Sequence, residues 1–198
     1  MTKPSNEPLV PRIIHECREA LKHNLHLAAL TLALTLPDIC GKAEYGNSLR
    51  SGARYKEWYD EHIGSNEKYR EEDESDFPYP SGEVIYRLRC MVLHQGTPNL
   101  EEGTCNIDSF ALICESYSEY LFAYLPEESS NDGKRELTLN LNTLCEKICR
   151  AAENYYEQNK DRFGFFKYTL IDGDERKRFF KLMRGEITPE QYSGEETI

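Results

Sequence analysis

The chain has 198 residues, of which 39% are hydrophobic and 30% charged, and its formal net charge is -11. That length supports one sizeable core but not comfortably two, so a single domain over 1–198 is expected. The acidic balance, with a mean hydropathy of -0.69, opposes nonspecific attraction to phosphate backbones, so any nucleic-acid site must rest on local positive charge.

In chain order, Ile13, Ile14, Cys17 and Leu21 recur at helical spacing and predict a first helix from about Pro8 to Lys22, which His23-Asn24 interrupts. The segment from Leu25 to about Tyr45 begins apolar on nearly all sides, as the central helix of a bundle does, and Pro37 should kink or restart it. This leaves Asp38-Ile-Cys-Gly-Lys as a turn or an irregular helical stretch. A short helix over Ala53 to His62 carries Tyr55, Trp58 and Tyr59. From Gly64 to Gly82 an acidic run, Glu71 to Asp76, lies among Gly, Ser, Asn and Pro and predicts a loop. Ser81 then caps a helix from Gly82 to Gln95, with Gly96 placed as its stop.

Beyond it, Ile107 to Cys114 and Arg135 to Leu141 have strand character and are expected to pair as a small antiparallel ribbon. Tyr117 to Tyr124 either extends the first arm or forms a second strand. A helix from Leu141 to Asn159 places Leu144, Ile148, Ala151, Ala152 and Tyr155 on one stripe. Lys167 to Ile171 reads as a short strand, Asp174 to Met183 as a charged helix, and Thr188 as the cap of a brief helical turn. The expected organisation is therefore mainly α. A helical half over 1–103 holds the loop at 64–82, a ribbon occupies 104–141, and C-terminal helices fill 142–192.

Seven cysteines and an N-terminus without a charged-then-apolar leader predict a cytoplasmic protein with reduced thiols. The apolar run from Leu25 to Leu36 is too short to span a membrane. No cofactor motif is present. Cys145 and Cys149, four apart on a helix, lack the accompanying ligand pairs of a metal site. His15, His23 and His26 fit surface or capping roles. Tyr55, Trp58 and Tyr59 suit core packing better than base stacking. Asp172-Gly-Asp174 reads as a turn and cap.

The segment that suggests chemistry is Arg89-Cys-Met-Val-Leu-His94, late in the helix that Ser81 begins. An arginine followed after four residues by a histidine resembles the R-x(4–6)-H signature of the HEPN superfamily. The wider wording, Leu36-Pro-Asp-Ile-Cys40 and Tyr86 to Gly96, also resembles a group of uncharacterised bacterial proteins over the N-terminal half. The HEPN resemblance implies a helical bundle that acts as a metal-independent endoribonuclease in a homodimer. His94 would move protons and Arg89 would clamp the phosphate. Attack by the ribose 2′-hydroxyl would leave a cyclic phosphate.

Five positions separate Arg89 from His94 by about 140° around a helix, whereas Arg87 lies within roughly 20° of His94 and Cys90 one turn before it. Either the last turn bends or a dimer completes the site. Arg87 and Arg89 form one basic focus. Lys160, Arg162 and Lys167, with Arg176, Lys177, Arg178, Lys181 and Arg184, form another. Asp38 is a candidate to orient Arg89 or His94, or simply to form a local Asx-turn.

Active members of the family commonly carry a polar residue directly after the arginine, and here it is Cys90, a weak hydrogen-bonding substitute. The alternative is a catalytically inactive HEPN-like module that binds a nucleotide or a partner protein. Arg89 would then pair with acids across the bundle, and His94 would cap the helix C-terminus.

Overall fold

A computed structural model describes residues 8–66, 80–94, 107, 109–115, 122–125, 136–165 and 173–193. It divides into a larger unit, Leu9–Gly164, and a smaller one that contains the C-terminal helices. The predicted acidic loop, for residues 67–79, lies outside the described residues, as do Gln95, Gly96, the strand predicted at Lys167 to Ile171, and Asp172.

The larger unit is mainly helical. Its first helix, α1 (Leu9–Lys22), buries Val10, Ile14, Cys17 and Ala20 along one stripe. Asn24, at a left-handed φ of 56°, ends it, and the Leu25 amide returns to the Ala20 carbonyl at 2.8 Å. After this break come α2 (His26–Ala33) and α3 (Leu36–Tyr45). Ala29, Leu30, Ala33, Leu34 and Leu36 have no solvent exposure.

Two expectations change here. The apolar segment is not enclosed on all sides, because Leu25 and Leu27 are 58% and 70% exposed. Nor do Asp38 to Lys42 form a turn. Pro37 occupies the first turn of α3, where its missing N–H costs nothing, and the helix runs on regularly to Tyr45.

The α4 helix (Ser51–His62) crosses α3 closely enough that a Cβ on Gly41 would sit 2.7 Å from the Arg54 carbonyl oxygen. Tyr55, Trp58 and Tyr59 of α4 are wholly buried, so these aromatics build the core. His62 stacks on Trp58 with ring centroids 4.7 Å apart. Next, α5 (Gly82–His94) buries Val84, Ile85 and Leu88. The Ser81 hydroxyl accepts from the Val84 amide at 3.3 Å, the cap read from the sequence. Gly82 is needed for packing, since a Cβ there would overlap the Lys56 backbone.

A three-stranded sheet has the order β1 (Ser109–Ile113), β3 (Glu136–Asn140), β2 (Phe122–Leu125). The expected antiparallel pairing of the first and last of these is corrected: β1 lies parallel to β3, with Phe110 opposite Leu137 and Leu112 opposite Leu139. It is β2 that runs antiparallel to β3. The alternating strand, with Leu137 and Leu139 buried and Thr138 between them half-buried, takes the centre and is paired on both sides.

From β3 the chain passes directly into α6 (Leu141–Gln158). Asn140 ends the strand and also caps the helix, its side-chain oxygen accepting from the Thr143 amide at 3.0 Å. Leu144, Cys145, Ile148, Cys149 and Ala152 are buried where α6 packs on α1, α2 and α3. Arg18 of α1 reaches Glu146 at 3.2 Å and Glu153 at 2.9 Å on α6.

In the smaller unit, α7 (Gly173–Met183) and α8 (Pro189–Ser193) pack together. Arg178 donates to the carbonyls of Gln191 and Tyr192 at 3.2 and 2.9 Å. Thr188 and Gln191 satisfy each other's amides in a reciprocal cap. Among the described residues, no helix is long and apolar enough to cross a membrane.

Candidate functional site

Arg89 leaves α5 toward the start of α3, where one guanidinium nitrogen donates to Asp38 Oδ2 at 2.6 Å. The two side chains are 15% and 23% exposed, so the pair is sheltered without being sealed. The Ser51 hydroxyl donates to the other carboxylate oxygen of Asp38 at 2.9 Å, which ties the first turn of α4 to the first turn of α3. The guanidinium carbon lies 5.7 Å from the ring centres of both Tyr55 and Tyr86. Their negative faces favour the cation at that range.

These neighbours perturb one another. Burial pushes the Tyr55 phenol well above its ordinary pKa; Arg89 opposes this and Asp38 adds to it. Tyr86 is also raised, first by burial and then by Cys90, one helical turn away. Lys56 adds a second cation over the Tyr86 ring, at 5.2 Å, while forming an ion pair with Glu83 at 2.5 Å.

The sequence-predicted residues separate into three sets. Asp38 and Arg89 are brought together. Cys90 is half-buried and acts on Tyr86. Arg87 is only 9% exposed, so neither arginine of the first basic focus stands open to solvent. His94 is the last residue of α5, and its side chain lies outside the described residues. Arg89 and His94 both belong to this helix.

Among the described residues, acids match four of the eight cations of the second basic focus. Lys160 pairs with Glu157 at 2.6 Å and Arg162 with Glu44 at 3.1 Å. In the smaller unit, Lys177 pairs with Asp174 at 3.0 Å and Arg184 with Glu186 at 2.8 Å.

Sequence reading missed Tyr55, Tyr86 and Ser51 as neighbours of Arg89. Tyr86 lies three positions before Arg89 on one helix, a signal that helical spacing offers. Tyr55 and Ser51 come from another helix and leave no such trace. Among the described residues, no group of three His, Cys, Asp or Glu side chains is arranged to hold a metal ion. All six described cysteines are free thiols.

Chemically, the arrangement fixes a guanidinium by a carboxylate below and aromatic faces beside it. A phosphate reaching Arg89 would have to share the guanidinium with Asp38, which holds one of its nitrogens. Comparison of the chain with protein-family models, curated proteins and solved structures yields no match.

Proposed function

We propose that the chain is a HEPN-like helical module, cytoplasmic and homodimeric, that binds a nucleotide or a partner protein without cleaving RNA. The observation that carries this reading is the Arg89 to Asp38 bond. The guanidinium that would have to stabilise a phosphodiester transition state already has a carboxylate at 2.6 Å. Oxyanion stabilisation relies on donors preorganised toward the developing charge, and a resident anion on the guanidinium opposes it. Cys90 in place of the polar residue that usually follows the arginine points the same way. With Arg87 and Arg89 withdrawn and a net charge of -11, a partner protein suits the surface better than a long nucleic acid.

A second reading keeps the endoribonuclease. It is favoured by the partial opening of the pair to solvent, which leaves Arg89 within reach of a small anion once Asp38 turns aside. Asp38 would then be a positioning residue and His94 the proton carrier.

One assay separates the two. The full chain is incubated with structured and single-stranded RNA in excess EDTA, beside Arg89→Ala and His94→Ala, and nucleotide binding is followed by fluorescence anisotropy. The binding reading expects no cleavage by any of the three. Metal-independent cleavage by the native chain that is lost in both variants would overturn it and establish the nuclease.

A further inference from the structure

The smaller unit carries a surface that the Arg89 site does not use. From Arg176 to Arg184 the sequence runs Arg-Lys-Arg-Phe-Phe-Lys-Leu-Met-Arg, five cations and no acid, in a chain whose formal net charge is -11. All but the last of these residues belong to α7, where Phe179, Phe180 and Met183 are exposed. They are three of the seven large hydrophobic side chains that stand in solvent among the described residues. Scattered apolar residues on a surface are ordinary, but three on one helix bordered by like charge mark an interaction surface.

Helical geometry sorts the face. At about 100° per residue, Phe179, Met183 and Phe180 fall within about 100° of arc. Arg176 lies inside that arc, its guanidinium carbon 5.6 Å from the centre of the Phe180 ring. Arg184, Lys177 and Lys181 follow over roughly the next 100°. Arg178 points the other way, toward α8, where it donates to the Gln191 and Tyr192 carbonyls and lies 5.9 Å from the centre of the Tyr192 ring. Leu182, half-buried, is on that side too. Thus α8 occupies one flank of α7, and the flank with Phe180 and Met183 remains exposed.

We propose that this face of α7 docks on an anionic lipid bilayer, with the helix lying in the plane of the membrane surface. The inference is independent of the Arg89 reading. Phe179, Phe180 and Met183 enter the boundary between headgroups and acyl chains. Arg176, Lys177, Lys181 and Arg184 lay their stems along the apolar layer and meet the phosphate and carboxylate groups of the lipids. Lys177 and Arg184 already pair with Asp174 and Glu186, but these pairs are open to solvent and cost little to exchange.

A planar surface suits this helix better than a protein groove that wraps around it, because α8 blocks one of the flanks that a groove would grip. The net charge of the chain does not forbid the contact. At physiological ionic strength a charge acts over about 8 Å, so cations held against the lipid outweigh acids farther away.

The test is sedimentation of the full chain with large vesicles, either phosphatidylcholine alone or phosphatidylcholine mixed with phosphatidylserine. Binding is expected to the mixture only, and it should weaken as sodium chloride is raised. A cation near such a surface contributes about a fivefold gain in partitioning, so Lys181→Glu, a change of two charges, should lower binding about 25-fold. Phe180→Ala should lower it about tenfold through lost apolar burial. Trp58 is the single tryptophan of the chain and is wholly buried, so Phe180→Trp adds a reporter whose emission should shift to the blue on anionic vesicles. The comparison of the two vesicles needs no variant. No binding to the mixture at low salt, or equal binding to both vesicles, would overturn the proposal. So would binding that Lys181→Glu and Phe180→Ala both leave intact, or a Phe180→Trp emission that stays fixed while the chain sediments. Capture of an acidic protein through α7 with no vesicle binding would give this face to a protein partner instead.

Discussion

Arg89 donates to Asp38 at 2.6 Å across 51 positions of sequence, and this one bond joins the third and fifth helices of the larger unit. Both groups are mostly out of solvent, so removing either leaves a sheltered charge without its partner. Asp38→Ala and Arg89→Ala should each lower unfolding free energy by about 1–3 kcal/mol. The double variant should cost less than the sum of the two, with a coupling of about 1 kcal/mol in a urea-denaturation cycle. Strict additivity would mean that the pair is not formed in solution.

Gly82 offers a steric test of how α4 and α5 meet. A Cβ at this position would overlap the Lys56 backbone, which cannot rotate away as a side chain could. Gly82→Ala should therefore destabilise the chain by about 1–3 kcal/mol despite its gain in helix propensity. Gly173→Ala, where nothing approaches an added Cβ, serves as the control. Thermal unfolding of the two variants gives the comparison.

His62 should leave a signature in the pH dependence of stability. Burial against Trp58 and Tyr155 lowers its pKa from the ordinary 6.5, because the imidazolium loses hydration there. The unfolded chain then binds the proton more readily than the folded one. The contribution of His62 is fully present above pH 6.5 and is lost as pH falls through the lowered folded value. His62→Gln should flatten that part of a plot of Tm against pH, and an unchanged slope would assign it to other groups.

The Asn140 cap is the simplest of the local tests. Asn140→Ala should cost about 1 kcal/mol, and Asn140→Asp a smaller amount, because its carboxylate still accepts from the Thr143 amide although it no longer donates to Glu115. Equal losses in both, measured by urea denaturation, would place the role of this residue in its bond to Glu115 and not in the cap.

Several features were legible from local pattern. The stripe of Ile14 and Cys17, the Ser81 cap and the face carrying Leu144, Ile148 and Tyr155 each express a 3.6-residue period, and all are buried or capped as that period requires. The direction of β1 against β3 was not legible. Alternation marks a strand but is the same for parallel and antiparallel neighbours, and only the placement of β2 on the far side of β3 sets the pairing. Pro37 illustrates a local signal with two outcomes, since the same residue ends one helix or opens the next. At the site, the sequence makes Asp38 a candidate to orient Arg89 or His94, and the structure places it against Arg89. The surrounding Tyr55 and Ser51 depend on how α4 packs against α3 and α5, which no spacing within α5 encodes.

The shared residue Asn140 has a mechanical implication. With no linker between β3 and α6, one residue sets the direction of the longest described helix against the sheet. One residue inserted at this joint would rotate α6 by about 100° and swing Leu144 and Ile148 away from α1. The joint therefore accepts no change in length.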